Sequence, residues 1–238
     1  MAMCTTGAMA ELKVDPLYRL LAWLSPAYPV GAFSYSHGVE TAVEEGFVTD
    51  LATLIAWLES VLERGTGLVD GALFATAWRT VDAEDWTAFD AVAERAAAWR
   101  GTSEMALESR QQGGSFLSIT RTAWPHPTLD AGHERTGGEI ALPVAVALAA
   151  AAHGISLGSA LGGYLHAFAA NLISAAVRTV PLGQTDGQRA LAALEPAVRR
   201  TADAALAATS LDEIGTATPL LDWCSLRHET QYTRLFRS

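Results

Sequence analysis

The chain has 238 residues, enough for one large domain or two small ones, and half of its residues are hydrophobic. Its 16 basic and 26 acidic residues give a formal net charge of −10, which argues against binding to a nucleic-acid phosphate backbone. Lys13 is the only lysine, so the sequence contains no Walker A loop for a nucleotide and no lysine in its body for Schiff-base chemistry.

The beginning of the sequence carries no recognisable targeting signal. Residues 1–14 lack a continuous apolar stretch and include Glu11 and Lys13, unlike a secretory signal. We therefore expect a cytoplasmic protein. We assign residues 1–16 to a flexible N-terminal segment and residues 17–238 to one helical domain.

Helical periodicity dominates the first half of the domain. Asp50 is predicted to cap a helix from Leu51 to Arg64, in which apolar residues recur at i, i+3 and i+4. Asp82 is predicted to start a second helix, over residues 84–100. Ser103 is predicted to open a third that runs toward Trp124 and is kinked at Gly113 and Gly114.

The second half continues in the same way. Residues 125–138, with two prolines and three glycines, are predicted to form a loop or lid. Residues 140–177 contain no Asp, Glu, Lys or Arg, and the Gly, Ser, His and Asn among them favour helices buried in a bundle over a membrane hairpin. Residues 188–209 are predicted to be helical and to bend or break at Pro196. The predicted fold is an all-α, single-domain, multi-helix bundle.

Four polar, glycine-marked stretches are not explained by helix packing, and the first runs from Ser25 to Glu40. Its prolines and Gly31 predict a sharp turn, after which Ser34 or Ser36 caps the next helix. His37 and Glu40 are one turn apart and are expected to form a hydrogen-bonded pair. We favour this structural role over catalysis by Ser36 and His37, because nothing in the neighbouring sequence resembles a buried acid that would orient the histidine.

Two further stretches lie inside the domain. Residues 108–115 are expected to form a solvated face or, as the alternative, a face that binds a partner. Residues 181–188 are predicted to form a turn between two helices, with Asp186 helping to start the second. Arg178 precedes this turn at the end of the uncharged stretch, where a guanidinium needs a carboxylate or carbonyl groups. Arg178 is therefore a candidate for coupling to a partner.

The fourth stretch is residues 227–238, with three arginines and one glutamate in a chain that is otherwise acidic. Chain ends normally fray, yet this one carries Tyr232, Leu235 and Phe236, and arginine and aromatic residues are enriched at protein interfaces. We expect a docking segment that becomes ordered on binding. Removal of the residues after Glu229 is expected to abolish that binding and to leave the helical fold intact.

Metal binding is suggested by six histidines and two cysteines, Cys4 and Cys224. Only Cys224 and His228 have helical ligand spacing, at i and i+4, and two ligands do not close a site. A second copy of the chain across a dimer axis would supply four. We favour a buried, unligated cysteine and an exposed histidine.

Together these stretches resemble the UreF family of urease accessory proteins. Residues 25–40 match its SP-x-x-PVGAFSYSHG-x-E signature, residues 181–188 match PLGQTDGQ, and residues 218–238 match TPLLD followed by RHETQYTRLFRS. The resemblance extends from about Leu17 to Ser238, nearly the whole chain.

The resemblance implies an all-α, dimeric protein that is not itself an enzyme and holds no resident cofactor. UreF proteins join UreD, also called UreH, and the GTPase UreG in a complex that passes nickel to apo-urease, and UreF modulates the GTPase. No nucleic-acid or membrane partner is implied. The partner-binding residues are then Arg234, Tyr232, Leu235, Phe236 and Arg237, and the candidates for coupling to the GTPase are Glu40, Arg178, Gln184 and Asp186.

Two other functions remain open on the sequence. The first is a direct nickel-binding metallochaperone that uses Cys224 and His228 as ligands. The second is an unrelated helical hydrolase that uses Ser36 and His37. Neither requires the partner-binding residues of the C-terminal stretch.

Overall fold

The computed structural model describes residues 16–238, which contain eleven α-helices, two 3-10 turns and no β-strand. The predicted all-α fold is confirmed. The predicted flexible segment, residues 1–16, lies outside the described residues except for Pro16, with which the first helix begins. The helices are α1 (Pro16–Trp23), α2 (Val39–Glu44), α3 (Leu51–Arg64), α4 (Thr66–Asp82), α5 (Trp86–Ala98), α6 (Ser103–Ala123), α7 (Pro127–Thr136), α8 (Leu142–Ala152), α9 (Leu157–Thr179), α10 (Gln184–Ala207) and α11 (Pro219–His228).

The core has two hydrophobic clusters, and α9 contributes to both. The larger cluster surrounds α8, whose residues 143–150 are all buried between α4, α6, α7 and α9. Alanine and valine dominate α8, and their small side chains let the neighbouring helices approach closely. The smaller cluster lies among α2, α3, α9, α10 and α11. Because α9 places Leu161 and Leu165 in the first cluster and Leu172 and Ala176 in the second, it ties the two together.

Helix α9 also resembles a membrane span in length and composition, and it is the only helix of residues 16–238 that does so. Half of its most apolar 18-residue window is buried inside the protein. A long core helix has the same properties, so the resemblance is weak evidence for a span.

Local capping explains where several helices begin. Helix α3 spans Leu51–Arg64 as predicted, with Asp50 accepting a bond from the Thr53 backbone N–H at 2.9 Å. The prediction for α5 was wrong at its start, because Asp85 rather than Asp82 caps it. Asp82 instead ends α4, and the left-handed backbone of Glu84 separates the two helices.

Residues 125–138 form a helix rather than the predicted loop. Pro127 occupies the first helical turn, where its missing N–H costs nothing, and the His126 ring accepts a bond from the Thr128 backbone N–H. Gly137 closes the helix in a left-handed conformation. Of the prolines and glycines counted as loop signals, Pro127 and Gly137 are therefore the boundaries of α7, and Gly132 lies within it.

At two other positions where an interruption was predicted, the helix is continuous in the described residues, and the predicted kink or bend there stays a prediction. Helix α6 runs without a break through Gly113, where a Cβ atom would lie 2.0 Å from the carbonyl oxygen of Ile140. The glycine there permits close packing against the start of α8. Helix α10 begins at Gln184, four residues earlier than predicted, and continues through Pro196. Its contacts with α3, α4 and α9 compensate for the hydrogen bond that the proline cannot make.

Candidate functional site

The C-terminal segment, residues 229–238, packs against α2, α6 and the loop before α2. Phe236 is 4 % exposed and Ser238 is fully buried. Three of the four stretches singled out in the sequence, residues 25–40, 108–115 and 227–238, therefore meet at one place. The segment therefore packs against its own chain without a partner protein.

Backbone hydrogen bonds join the end of the segment to the loop before α2. The Arg237 N–H donates to the Ser34 carbonyl at 2.8 Å, and the Ser36 N–H donates to the Ser238 carbonyl at 2.9 Å. The Ser36 hydroxyl donates to the same Ser238 oxygen. His37 and Gly38 follow in left-handed conformations, which turn the chain sharply into α2.

Glu40, on the first turn of α2, binds the segment through its backbone. Its carboxylate accepts from the N–H of Leu235 at 2.6 Å and from the N–H of Phe236 at 3.0 Å. Bonds from two consecutive N–H groups to one buried carboxylate fix both the position and the direction of the segment. Glu40 also contacts Nε2 of His228 at 3.0 Å.

His228 lies between two carboxylates and is fully buried. Its Nδ1 is 2.7 Å from Glu104 and its Nε2 is 3.0 Å from Glu40. Two hydrogen bonds need two protons, so either the ring is an imidazolium or one carboxyl is protonated. The other oxygen of Glu104 accepts from Arg234 at 3.0 Å. A continuous chain of ionisable groups, each in contact with the next, thus runs from α2 through α11 and α6 to the segment.

Glu108, one turn after Glu104 on α6, holds the last residue of the segment. It accepts from the Ser238 hydroxyl at 2.8 Å and contacts Nδ1 of His37 at 3.3 Å. Burial by itself would raise the pKa of Glu108. The charge and hydrogen bond of His37, the Ser238 bond and the charge of Arg100 outweigh burial and lower this pKa. We call the five side chains that hold the segment the anchor: His37, Glu40, Glu104, Glu108 and His228.

Arg178 closes the site from the end of α9. Its guanidinium donates to the carbonyls of Ser174 and Phe33, the latter at 2.8 Å, and lies 4.2 Å from the centre of the Phe236 ring. Burial lowers the pKa of Arg178. The carbonyl partners that the sequence analysis required are present, and the contact with Phe236 joins α9 to the segment.

The expected pair between His37 and Glu40 does not form. His37 instead contacts Glu108 and the Thr66 hydroxyl, while Glu40 contacts His228 and the segment. The solvated face expected over residues 108–115 is found only at Arg110 and Gln111, because Glu108 is buried against its partners and Gln112 is buried too. The acid that orients His37 comes from α6, 71 residues away, where local sequence could not reveal it. Since Ser36 donates to the Ser238 carbonyl, Ser36 and His37 do not form a nucleophile and base pair.

Both proposed metal ligands are buried. Cys224 is buried, and burial together with the charge of Glu45 raises its thiol pKa to about 12, which disfavours the thiolate that binds metals. His228 is buried rather than exposed, and carboxylates engage both of its ring nitrogens. Residues 16–238 contain no group of three or more His, Cys, Asp or Glu side chains able to hold a metal ion.

The predicted partner-binding residues divide between surface and interior. Tyr232 and Leu235 are exposed, at 103 % and 61 %, and Arg237 is exposed beside the Tyr35 ring. Arg234 is held by Glu104 with 42 % of its side chain exposed. Phe236 lies inside, beneath Arg178.

The four coupling candidates are likewise split. Glu40 and Arg178 both contact the segment. Gln184 and Asp186 lie at the start of α10, where Asp186 accepts from the Gly183 N–H and pairs with Arg189 at 2.9 Å. The structure therefore brings together only the first two.

Glu104 and the Thr66 hydroxyl were missed by the sequence analysis. A signal for Glu104 was available, because Glu104 and Glu108 are like charges at i and i+4 on a helix, which repel each other on a solvated face. Such a pair indicates that each carboxylate has a partner elsewhere. No comparable signal identifies Thr66.

Comparison with known proteins gives a consistent result over most of the chain. The UreF family model matches residues 48–195. The urease accessory protein UreF of Granulibacter bethesdensis is 53 % identical over 222 residues, which cover 93 % of this chain and 94 % of that protein. The proteins of the same name from Rhodopseudomonas palustris strain BisB5 and from Bradyrhizobium diazoefficiens are 54 % and 49 % identical, cover 98 % of this chain and are themselves covered to 97 % and 96 %.

Proposed function

The chain belongs to the UreF family of urease accessory proteins, and we propose on that basis that it acts in the incorporation of nickel into apo-urease. In this proposal it is an adaptor in the cytoplasm, forms a homodimer, binds a UreD- or UreH-type protein and regulates a UreG-type GTPase. Nickel is cargo that passes through the complex, and the chain itself catalyses no reaction.

The observation that carries the proposal is the presentation of Tyr232 and Leu235 on a docked backbone. Both side chains are exposed, while the N–H of Leu235 is bound to Glu40. Aromatic and large apolar groups are typical contact residues of interfaces. A segment that is ordered before binding loses less conformational entropy when the partner arrives. We therefore assign the contact with the UreD-type protein to Tyr232, Leu235, Arg234 and Arg237.

Phe236 takes a different part in this proposal. Since it is buried beneath Arg178, it holds the segment in place and does not contact the partner. Glu40 and Arg178 act through the same segment, so a change at the UreD-type contact reaches α2 and α9 directly. Gln184 and Asp186 remain candidates for a separate contact with the GTPase.

The test is co-expression of the full chain with the UreD- and UreG-type proteins of its own source, followed by size-exclusion chromatography. The Tyr232→Ala, Leu235→Ala double variant removes two exposed side chains and leaves the anchor unchanged. We expect it to weaken the complex with the UreD-type protein at least tenfold without loss of helical circular dichroism.

A matched control is the Tyr18→Ala, Leu21→Ala double variant, which removes the same two residue types from the exposed face of α1. Retention of the complex by the segment variant would contradict the proposed contact. Deletion of residues 231–238 is a less specific test, because it removes the Leu235 and Phe236 N–H donors from Glu40 and the Ser238 hydroxyl from Glu108, both of which are buried. The expectation that truncation spares the fold is therefore replaced by an expected loss of stability.

A further inference from the structure

Helix α11 is apolar on its outer face as well as on its inner face. On the inner face, Leu221 and Cys224 are buried in the smaller hydrophobic cluster. On the outer face, Leu220, Trp223 and Leu226 follow one another at intervals of three residues and are 43 %, 39 % and 54 % exposed. A surface helix normally presents polar residues to solvent, and a helix that is apolar all round is normally buried. The outer face of α11 is therefore an apolar surface that residues 16–238 leave uncovered.

Two further aromatic rings extend this surface beyond α11. Phe47, in the loop between α2 and α3, is 38 % exposed and lies edge to face with Trp223, with ring centres 6.0 Å apart. The Trp57 ring, on α3, lies parallel to the Phe47 ring at 6.3 Å. We call the surface that these five side chains form the aromatic face: Phe47, Trp57, Leu220, Trp223 and Leu226. Tryptophan is enriched among the residues that dominate binding energy, and large apolar patches on a protein surface mark interaction sites.

Charged groups border the aromatic face. Arg227 lies over the Trp223 ring, 5.7 Å from its centre, and is 3.7 Å from a carboxylate oxygen of Glu45. Glu44, which precedes Glu45 at the end of α2, is exposed and forms no ion pair among residues 16–238. An apolar centre with a polar rim is the usual arrangement of a protein interface. Because Glu44 is unpaired, a complementary surface carries a cation opposite it.

The aromatic face continues into the C-terminal segment. The N–H of Thr230 donates to the carbonyl of Arg227, so the chain turns directly from α11 into the segment. The side chain of Gln231 then accepts from the Thr41 hydroxyl at 2.9 Å, which fixes the start of the segment to α2. The next residue, Tyr232, is one of the contacts assigned above to the UreD-type protein. The aromatic face and that contact therefore adjoin each other along α2 and α11.

We propose that the UreD-type protein covers the aromatic face together with the exposed side chains of the segment, and that it places an apolar patch over Trp223 and a cation opposite Glu44. The inference rests on the proposed function, from which it takes the partner, and adds a second contact surface to it. Continuity with Tyr232 favours this partner over a second copy of the chain and over the UreG-type GTPase.

Hydroxyl-radical footprinting of the full chain, with and without the UreD-type protein, tests the assignment without any variant. Oxidation of Trp223 and Leu226 should fall by about threefold or more in the complex, because side chains at the core of an interface lose their contact with water. Oxidation of Tyr18, which is exposed on α1, should not change. Protection that grows with the concentration of the chain alone, or that requires the UreG-type protein, would overturn the inference and assign the face to that occupant.

The Leu220→Ala, Leu226→Ala double variant removes two exposed side chains of α11 and leaves the anchor and the segment unchanged. It should weaken the complex with the UreD-type protein about tenfold in calorimetry. The matched control is Leu17→Ala, Leu21→Ala, which removes two exposed leucines from α1 and should bind as the wild type does. Glu44→Lys should also weaken the complex, and its effect should shrink as salt is added.

The outcomes separate this inference from the proposed function. Failure of the wild type to bind the UreD-type protein overturns both. A complex that is weakened by the segment variant but not by the Leu220→Ala, Leu226→Ala variant overturns this inference alone. Unchanged oxidation of Trp223 in a complex that does form has the same meaning.

Discussion

The alanine-rich centre around α8 and the anchor of the C-terminal segment are both closed to solvent, but they are built from different groups. The centre consists of small apolar side chains packed closely enough that Gly113 touches the backbone at Ile140. The anchor consists of three carboxylates and two imidazoles, each with a named partner. The first region depends on shape and the second on matched charges and hydrogen bonds, so different substitutions should disrupt them.

The largest effect is expected from His228→Ala. It removes the shared partner of Glu40 and Glu104 and leaves two buried carboxylates facing each other, which should lower the free energy of unfolding by about 3–5 kcal/mol. Urea unfolding measures this value, with His166→Ala at an exposed position of α9 as the control. A loss below about 1 kcal/mol would mean that the anchor is not a set of mutually dependent charges.

Within the apolar centre, Gly113→Ala should be next in size. Its Cβ would lie 2.0 Å from the Ile140 oxygen and 2.7 Å from the Ala141 carbonyl carbon, so α6 and α8 must separate. We expect a loss of about 3 kcal/mol in urea unfolding. Gly158→Ala in α9, where no atom lies within 4 Å, is the control and should gain about 0.5–1 kcal/mol. Equal behaviour of the two glycines would contradict close packing at α8.

Lower pH should weaken the two regions in separate windows. Beside the centre, burial followed by the charges of Arg19 and His126 lowers the pKa of His153 to about 4. As the pH falls, the unfolded chain binds a proton at His153 before the folded chain does. The stability that depends on a neutral His153 ring is therefore complete above about pH 6.5 and is lost as the pH falls toward 4. The ring is partly exposed, so we expect on the order of 1 kcal/mol. The free energy of unfolding of His153→Gln, measured with urea at each pH in this range, should not show this decrease.

The anchor should respond at lower pH. The pKa of Glu108 is lowered in the folded chain, so the ionised carboxylate stabilises the fold. This stabilisation is complete above the pKa of Glu in the unfolded chain, about 4.3, and is lost as the pH falls through the lower pKa of the folded chain. Exposure of the segment, measured by hydrogen exchange of the Phe236 amide, should therefore increase only below about pH 4.3. An increase between pH 6 and 5 would contradict this assignment.

The smallest effect is expected outside both regions, at the N-cap of α3. Asp50→Ala removes the acceptor for the Thr53 N–H and should lower the melting temperature by about 2–4 °C, while Asp50→Ser should retain most of the stability. Thermal unfolding monitored by circular dichroism measures both. A loss as large as that of His228→Ala would show that stability is not concentrated in the two buried regions.

The comparison also explains what the sequence could predict. The helix over residues 51–64 was found because its cap and its apolar periodicity are local properties of the chain. For residues 125–138, the local signals were present but were assigned to a loop. Pro127 and Gly137 instead mark the first residue and the C-cap of a helix, positions where proline and glycine are equally common. The uncharged stretch was assigned to buried helices because it lacks charged residues; α8 is buried over residues 143–150, but only half of the most apolar window of α9 is buried.

The anchor could be predicted only in part. The stretches that contain Glu40, Glu108 and His228 were singled out, but their partners are 71 to 196 residues away in the sequence. Local spacing favoured a pair between His37 and Glu40 that does not form. Partners that distant are determined by how the helices pack, which one sequence does not encode in any short pattern.

The central claim is that Glu40 holds the C-terminal segment on the chain itself, and hydrogen exchange of the Leu235 and Phe236 amides tests it most directly. We predict slow exchange in the wild type and exchange at least tenfold faster in Glu40→Gln, which places a donor where two N–H groups and His228 need acceptors. Glu44→Gln, at an exposed position of the same helix, should leave the rates unchanged. Wild-type exchange at the rate of an unstructured peptide would contradict the claim.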